Sequence, residues 1–256
     1  MSRKTILIAA AALLAASQAQ AAQLTLLVGG SMATTFREIG AEFARKTGNK
    51  LNFIMDTTGA LQKRMRAGET ADIIMISAQG MDQLEQEKLI VPGSRVELAT
   101  ATIGVSVRSG AAAPDLSTPD SFRHAMLAAR SIALVDPKAG GTSGIYLDGL
   151  FQRLGIADEV RRKALFVNQG HSVADAVASG KAELGLTFIS EILPNRGVMI
   201  AGPLPDPIQS PTIYVVAIPA ASRHKDDARA FVAAISASSA WPFITKAGLT
   251  PIKRQP

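Results

Sequence analysis

Short apolar segments alternate with amphipathic helical segments along most of this chain, and this alternation constrains the fold more than any other feature. It begins with an apolar run at 24–28, a helix over 33–47, a strand at 51–55 and a helix over 60–67. Strand, covering helix and second strand make parallel neighbours in a sheet that is buried on both faces. The sequence therefore predicts an α/β fold.

The alternation divides into two units, which predicts two domains. Further strands are expected at 72–76, 96–107, 131–135, 165–167, 183–188 and 213–218. The last helices, over 226–236 and 239–247, have no sheet of their own, and the simplest packing returns them to the first unit. We therefore predict a discontinuous domain I, residues 22–101 plus 212–256, and a domain II, residues 102–211. Two crossings between domains make a hinge, with ligand bound in the cleft between them.

The N-terminus has the three zones of a secretory signal peptide. Ser2-Arg3-Lys4 is basic, residues 5–16 are apolar, and Ala19-Gln20-Ala21 is a small-x-small cleavage site. This apolar stretch is too short to cross a bilayer. We predict that residues 1–21 are a cleaved signal peptide, that the protein does not insert into the membrane, and that it is exported to the periplasm.

Composition excludes several classes of site. The 256 residues include no cysteine, which excludes disulfides, thiolate metal ligands and a thiol nucleophile. The three histidines are widely spaced and aromatic residues make up only 5%, so we predict no metal, no cofactor and no nucleic-acid partner. Nothing suggests a flat apolar interface, and we expect a monomer. The net charge of +6 is spread along the chain and fits a small anionic ligand.

Four loops share one design, in which Gly, Ser or Thr lies between an apolar strand and a helix. They are Gly29-Gly30-Ser31, Thr57-Thr58-Gly59, residues 140–144 and residues 168–172. In open α/β sheets such loops lie at the carboxyl ends of the strands, where N–H groups and helix N-termini favour an anion. For any one loop, ordinary caps and turns are the favoured explanation, but four such loops in one chain favour a binding cleft. The candidate ligand-binding residues are Ser31, Thr58, Ser143, Gly170 and His171.

Catalytic motifs are scarce. The glycine loop at 140–144 lacks the features of a nucleophile elbow or a P-loop, and no dinucleotide fingerprint follows the first strand. His171 is the single histidine inside a candidate loop, so it is the candidate catalytic base if the protein is an enzyme. Asp175 and Asp56 are weaker alternatives. The glutamates and lysines on helices are predicted to be solvated.

Several short motifs occur in an order and spacing that resemble a known family. They are Leu-Val-Gly-Gly-Ser-Met at 27–32, Ala-Gly-Glu-Thr-Ala-Asp-Ile-Ile at 67–74, Asp-Pro at 136–137 before Gly-Ile-Tyr at 144–146, and Ala-Glu-Leu-Gly-Leu-Thr-Phe at 182–188. The chain resembles the periplasmic solute-binding proteins of the molybdate-binding type, which serve ABC importers. The resemblance implies a two-lobed class II periplasmic binding protein fold with two crossovers, and an ABC permease as partner if the protein serves transport.

The family's ligand contacts carry over unevenly. Ser31 matches a serine of the first loop, Thr58 retains a hydroxyl in place of a second serine, and Ser143 and Gly170 fall at backbone contacts. Phe188 occupies the position of the tyrosine that binds molybdate through its hydroxyl. That donor is absent here, the glycine loop at 140–144 is longer than in the family, and His171 is added. These departures from the family pattern favour a di- or tricarboxylate as the ligand in preference to molybdate.

Two functions remain open. The periplasmic aconitate isomerase type of enzyme resembles the same group and moves a proton across an allylic system without a cofactor. It needs a base and donors for the developing charge, whereas a solute-binding protein of an ABC importer needs only donors that close around a ligand. The sequence favours the binding protein, because a binding site has fewer requirements, and keeps the isomerase as the alternative.

Overall fold

The computed structural model of the protein describes residues 21–253. The predicted signal peptide, except Ala21, lies outside this part of the chain. Eleven strands are described: β1 (Gln23–Gly29), β2 (Lys50–Asp56), β3 (Ile73–Ser77), β4 (Val96–Ala101), β5 (Ile103–Arg108), β6 (Ile132–Val135), β7 (Ala164–Val167), β8 (Leu184–Phe188), β9 (Val198–Pro203), β10 (Thr212–Ala217) and β11 (Thr250–Pro251).

Helices cover these strands. The α-helices are α1 (Ala33–Thr47), α2 (Thr58–Arg66), α3 (Ala78–Gln86), α4 (Pro119–Ala128), α5 (Thr142–Arg153), α6 (Ala157–Lys163), α7 (Gly170–Ala178), α8 (Ile189–Ile192), α9 (Lys225–Ser236) and α10 (Trp241–Lys246). Short 3-10 helices occupy Gly30–Met32, Pro137–Ala139, Asp206–Ile208 and Ser238–Ala240. The helix expected over 239–247 is thus a 3-10 turn followed by α10, and α8 and β11 are elements that were not predicted from the sequence.

The strands form two sheets, which define the two lobes of the molecule and confirm the predicted α/β fold class. The first lobe has the order β11-β4-β10-β3-β1-β2, and the second lobe has the order β7-β6-β8-β5-β9. The sequence predicted parallel sheets, but both sheets are mixed. In the first, β10 runs antiparallel to β3, and in the second, β5 runs antiparallel to β8. These strands arrive directly from the other sheet, without the crossover helix that parallel pairing requires.

The chain passes twice between the lobes. The extended segment expected at 96–107 is two strands, with β4 in the first sheet and β5 in the second. The return passage lies between β9 and β10. Gln209 holds the two passages together, because its side chain accepts from the Ile103 N–H at 3.2 Å and donates to the Ile103 carbonyl at 2.9 Å. The exact domain bounds given above stay a prediction.

The terminal helices pack on the first lobe. Phe231 of α9 lies 5.8 Å from Phe36 and 5.1 Å from Phe43 of α1, measured between ring centroids. These three rings belong to a buried apolar cluster that continues through the strands of both lobes. Among residues 21–253, no helix is long and apolar enough to span a membrane.

Candidate functional site

A cavity of about 310 Å³ lies between the lobes, where strands of both sheets end. All five residues predicted to bind ligand line it: Ser31, Thr58, Ser143, Gly170 and His171. The four strand–helix loops therefore converge on one space. Each loop leads directly into a helical turn, which leaves the first N–H groups of that turn without intrahelical partners.

Two of these residues come from the first lobe. Ser31 lies in the 3-10 turn after β1, and only 4% of its surface is exposed. Thr58 is the first residue of α2, and its hydroxyl accepts from the Ser77 N–H at 3.3 Å. Both side chains present neutral hydroxyl groups to the cavity.

The other three come from the second lobe. Ser143 is buried in the first turn of α5, with its hydroxyl 3.4 Å from that of Thr187. Gly170 and His171 begin α7, where Gly170 is buried and His171 is exposed at the cavity. A Cβ on Gly170 would overlap the carboxylate of Glu191, so glycine is the residue that this close approach permits.

Glu191 is the main feature that the sequence analysis missed, and it corrects the expectation that glutamates on helices are solvated. It lies on α8, directly after β8, and lines the cavity. The whole residue is partly exposed because it faces the cavity, but its carboxyl group lies deep in the protein. Burial raises the pKa of Glu191 from 4.5 to about 7, against hydrogen bonds from the Thr187 hydroxyl and the Phe188 N–H that lower it. The Thr187 hydroxyl donates at 2.6 Å.

Tyr214 supplies a phenol to the same cavity from the first lobe. It lies on β10, is 3% exposed, and its ring meets the edge of Phe188 at a centroid distance of 5.8 Å. Burial raises the pKa of the Tyr214 phenol above its ordinary value, and the negative charge of Glu191 adds to this, so the phenol stays protonated at neutral pH. The phenol thus comes from the neighbouring strand, while Phe188 offers none.

Two buried hydroxyl groups in the lining have no partner of good geometry in the described part of the chain. They are the Oγ atoms of Ser31 and Ser190, although the Ser31 hydroxyl lies close enough to the Tyr214 phenol to ease its ionisation. An unpartnered buried hydroxyl is costly unless a ligand satisfies it. We call Ser31, Ser190, Glu191 and Tyr214 the inner cluster.

The two lobes touch directly beside the cavity, in what we call the interlobe contact. It joins residues 57–59 of the first lobe to residues 139–142 of the second. The Gly59 N–H donates to the Gly140 carbonyl at 3.0 Å, and the Thr57 hydroxyl donates to the Ala139 carbonyl at 2.6 Å. The hydroxyl of Thr142 lies 3.4 Å from that of Thr58. These bonds hold the lobes together along one side of the cavity.

The two weaker candidates for the base, Asp56 and Asp175, differ in whether they face the cavity. Asp56 lines the cavity, and its carboxylate accepts from the Thr57 N–H at 2.8 Å. Asp175 is exposed outside the lining and accepts from Asn195 at 2.7 Å. Within residues 21–253, no three acidic or histidine side chains are grouped as a metal site would require.

Comparison with known proteins places this geometry in a family. Residues 24–250 match the family model described as bacterial extracellular solute-binding protein. An aconitate isomerase from Pseudomonas sp. is 33% identical over 96% of this chain and 96% of its own length. A molybdate-binding protein from Azotobacter vinelandii is 23% identical over 82% of this chain and 84% of its own. The solved periplasmic molybdate-binding protein of Azotobacter vinelandii has a TM-score of 0.76, at 20% identity, and the match covers 91% of this chain and all of that one.

Proposed function

The chain belongs to the family of bacterial extracellular solute-binding proteins, and within that family we propose that it is a cofactor-independent isomerase of the aconitate isomerase type. The reaction moves one proton across the allylic carbons of a small unsaturated tricarboxylate and interconverts cis- and trans-aconitate. The observation that carries the proposal is Glu191, a deep carboxyl group that faces the ligand cavity with a pKa of about 7.

Glu191 is suited to act as the base and then as the acid. At neutral pH about half of such a group is ionised, and its carboxylate is more basic than that of an ordinary glutamate. It takes a proton from the methylene carbon, and the C–H electrons form a new double bond to the central carbon. The electrons of the old double bond move towards the far carbon and its carboxylate. The Glu191 carboxyl then returns the proton to that far carbon, so no oxidant or reductant is consumed.

The rest of the inner cluster is suited to the intermediate. The charge of the dienolate develops on carboxylate oxygens, where fixed hydroxyl donors stabilise it. The Tyr214 phenol remains protonated and can donate, and the hydroxyls of Ser31 and Ser190 have no hydrogen-bond partner of good geometry within residues 21–253. An isomerase of this type needs a base and donors for the developing charge, and a site with Glu191 and these hydroxyls supplies both.

Sequence similarity supports the same function. The aconitate isomerase matches almost the whole chain at 33% identity, while the molybdate-binding relative matches at 23%. A carboxylate beside a bound oxyanion repels it, so Glu191 is unfavourable in a site for molybdate. A carbon acid with well-separated carboxylates can present a C–H bond to Glu191 instead.

A binding protein of an ABC importer is the second candidate. It is favoured by the family itself and by the molybdate-binding relatives. In that role the cavity holds a small anion, a di- or tricarboxylate in preference to molybdate, and an ABC permease is the partner. For either function we place the protein in the periplasm, on the basis of its predicted signal peptide and its family, and we expect a monomer.

Proton NMR in D₂O separates the two candidates. Purified protein lacking residues 1–21 is incubated with trans-aconitate, and we expect signals of cis-aconitate, with deuterium at the methylene carbon to the extent that the proton on Glu191 exchanges with solvent before it is returned. Heat-denatured protein is the control for uncatalysed exchange. If calorimetry shows that aconitate binds but neither isomer is converted, the isomerase proposal is wrong and the binding protein stands. Nanomolar binding of molybdate without any response to carboxylates would contradict the carboxylate ligand.

A further inference from the structure

The charges around the cavity are arranged unevenly. The ionisable side chains that line it are Arg37, Asp56, His171, Glu191 and Tyr214. Glu191 and Tyr214 are the deep ones, whereas Arg37 and His171 are exposed. Arg37 is the permanently charged cation of this set, because a guanidinium keeps its proton throughout the physiological range.

The Arg37 side chain has no partner among the described residues. Its guanidinium makes no hydrogen bond or ion pair with any residue in 21–253, although Asp56 lines the same cavity. Elsewhere on the first lobe, Arg64 pairs with Glu69 and Arg66 pairs with Glu87. An arginine that faces a ligand cavity without an internal partner is a suitable fork for a carboxylate.

The position of Arg37 also distinguishes between ligands. It lies on α1 of the first lobe, while His171 lies on α7 of the second, so the two exposed groups belong to opposite sides of the cleft. A compact oxyanion that accepts hydrogen bonds from the hydroxyls of the inner cluster needs neither Arg37 nor His171. A ligand with several carboxylates on a carbon chain can place one at the inner cluster and another at Arg37.

We propose that Arg37 determines specificity for polycarboxylates by binding a substrate carboxylate that is remote from the reacting carbon. The inference rests on the proposed function for the identity of the substrate and adds the residue that selects it. Arg37 forms the first-lobe half of this subsite and His171 faces it from the second lobe. A substrate carboxylate bound between Arg37 and His171 thereby connects the two lobes. Its attraction to Arg37 offsets the repulsion between the substrate and the Glu191 carboxylate.

The test uses ligands that bind without reacting. Propane-1,2,3-tricarboxylate has no double bond and cannot isomerise, and propane-1,3-dicarboxylate and propane-1,2-dicarboxylate each lack one of its carboxylates. Arg37→Gln is compared with Arg45→Gln, which removes the same charge from an exposed position of α1 outside the cavity. Isothermal titration calorimetry measures each Kd at fixed ionic strength.

We expect Arg37→Gln to weaken tricarboxylate binding about 10- to 100-fold, the usual effect of losing a charge-assisted hydrogen bond. Arg45→Gln should change it less than about 3-fold, as expected for a screened surface charge. For the dicarboxylate that lacks the carboxylate bound by Arg37, the two variants should have equal affinity.

Equal effects of the two variants on the tricarboxylate would overturn the proposal, as would a wild-type protein that binds none of these ligands. An equal loss with every dicarboxylate would also overturn it, because Arg37 would then act through general attraction. The outcome is independent of catalysis. A wild-type protein that binds propane-1,2,3-tricarboxylate but does not convert aconitate refutes the isomerase and leaves the Arg37 result to be judged alone.

Discussion

The interlobe contact and the inner cluster lie side by side but are built on opposite principles. The contact uses neutral groups that satisfy one another, including the Gly59–Gly140 backbone hydrogen bond of 3.0 Å. The inner cluster keeps unpartnered hydroxyls and a buried carboxyl whose pKa is raised to about 7. The first arrangement stabilises a closed molecule, and the second costs stability that a bound ligand recovers. We infer that the contact sets how the lobes meet, while the inner cluster carries the chemistry.

Replacing the proposed base, Glu191, should produce the largest effect. Glu191→Gln keeps the shape of the side chain and an acceptor for Thr187, but it cannot take a proton. We expect aconitate turnover to fall about 10²- to 10⁴-fold, the usual contribution of general acid–base catalysis. Binding of propane-1,2,3-tricarboxylate should persist or strengthen, because a repelling charge is removed. NMR rates and calorimetric Kd values check the two expectations.

The matched controls are the bases that the sequence offered. Asp175→Asn changes a carboxylate outside the cavity and should leave turnover unaltered. His171→Gln should weaken binding while most turnover remains, since the amide still donates a hydrogen bond. Loss of turnover in His171→Gln, with normal turnover in Glu191→Gln, would transfer the base to His171 and end the catalytic role of the inner cluster.

The phenol should come next in effect. Tyr214→Phe removes one donor to the developing charge and leaves the ring packed against Phe188. We expect kcat to fall about 10²-fold with KM little changed, as when an oxyanion donor is lost. Tyr146→Phe is the control, because its hydroxyl donates to the Ile208 carbonyl at 2.6 Å, away from the cavity. Similar kcat values for the two variants would remove Tyr214 from the chemistry.

The site residues also differ in how well the sequence could predict them. Ser31, Thr58, Ser143, Gly170 and His171 follow strands in glycine-rich loops, and such loops reach the strand ends by the topology of the fold. Their placement at one cavity was therefore predictable, although their binding of a ligand stays a prediction. The order of motifs likewise identified the family and the two-lobed fold, which the comparisons confirm.

The other site residues lack any local signal. Glu191 follows β8 without a glycine and lies in a four-residue helix, which is too short to show a hydrophobic period. Tyr214 belongs to an apolar strand, and it reaches the cavity because β10 inserts between β3 and β4. Arg37 is exposed on α1, and its position at a cleft depends on the second lobe. The positions of these three residues at the cavity depend on tertiary structure, so they cannot be predicted from the local sequence around each residue.

The buried charge also predicts how stability depends on pH. Between pH 4.5, the ordinary pKa, and about 7, the folded protein keeps the Glu191 proton and the unfolded chain loses it. The stabilisation from this group is therefore complete below pH 4.5 and is lost as pH rises to about 7, by at most about 3 kcal/mol. Glu191→Gln lacks this dependence and should gain stability relative to the wild type over that range. Urea unfolding of both proteins at pH 5 and pH 8 measures the difference, and parallel pH profiles would show that the carboxyl is well solvated.

The smallest expected effect separates the interlobe contact from the inner cluster. Gly140 and Gly93 both have φ of +73°, so alanine imposes the same left-handed strain of about 1–2 kcal/mol at either position. Nothing lies within 4 Å of a Cβ on Gly93, whereas a Cβ on Gly140 would lie 2.7 Å from the Gly59 Cα. Besides the backbone strain, Gly140→Ala must therefore move the two lobes apart at this contact.

We expect the affinity of Gly140→Ala for propane-1,2,3-tricarboxylate to fall about 5- to 10-fold relative to Gly93→Ala, because part of the binding energy is then used to close the lobes. Small-angle scattering should show a larger radius of gyration for unliganded Gly140→Ala. Equal affinities and equal radii would mean that the contact does not hold the lobes closed, and closure would then have to come from the ligand and the inner cluster alone.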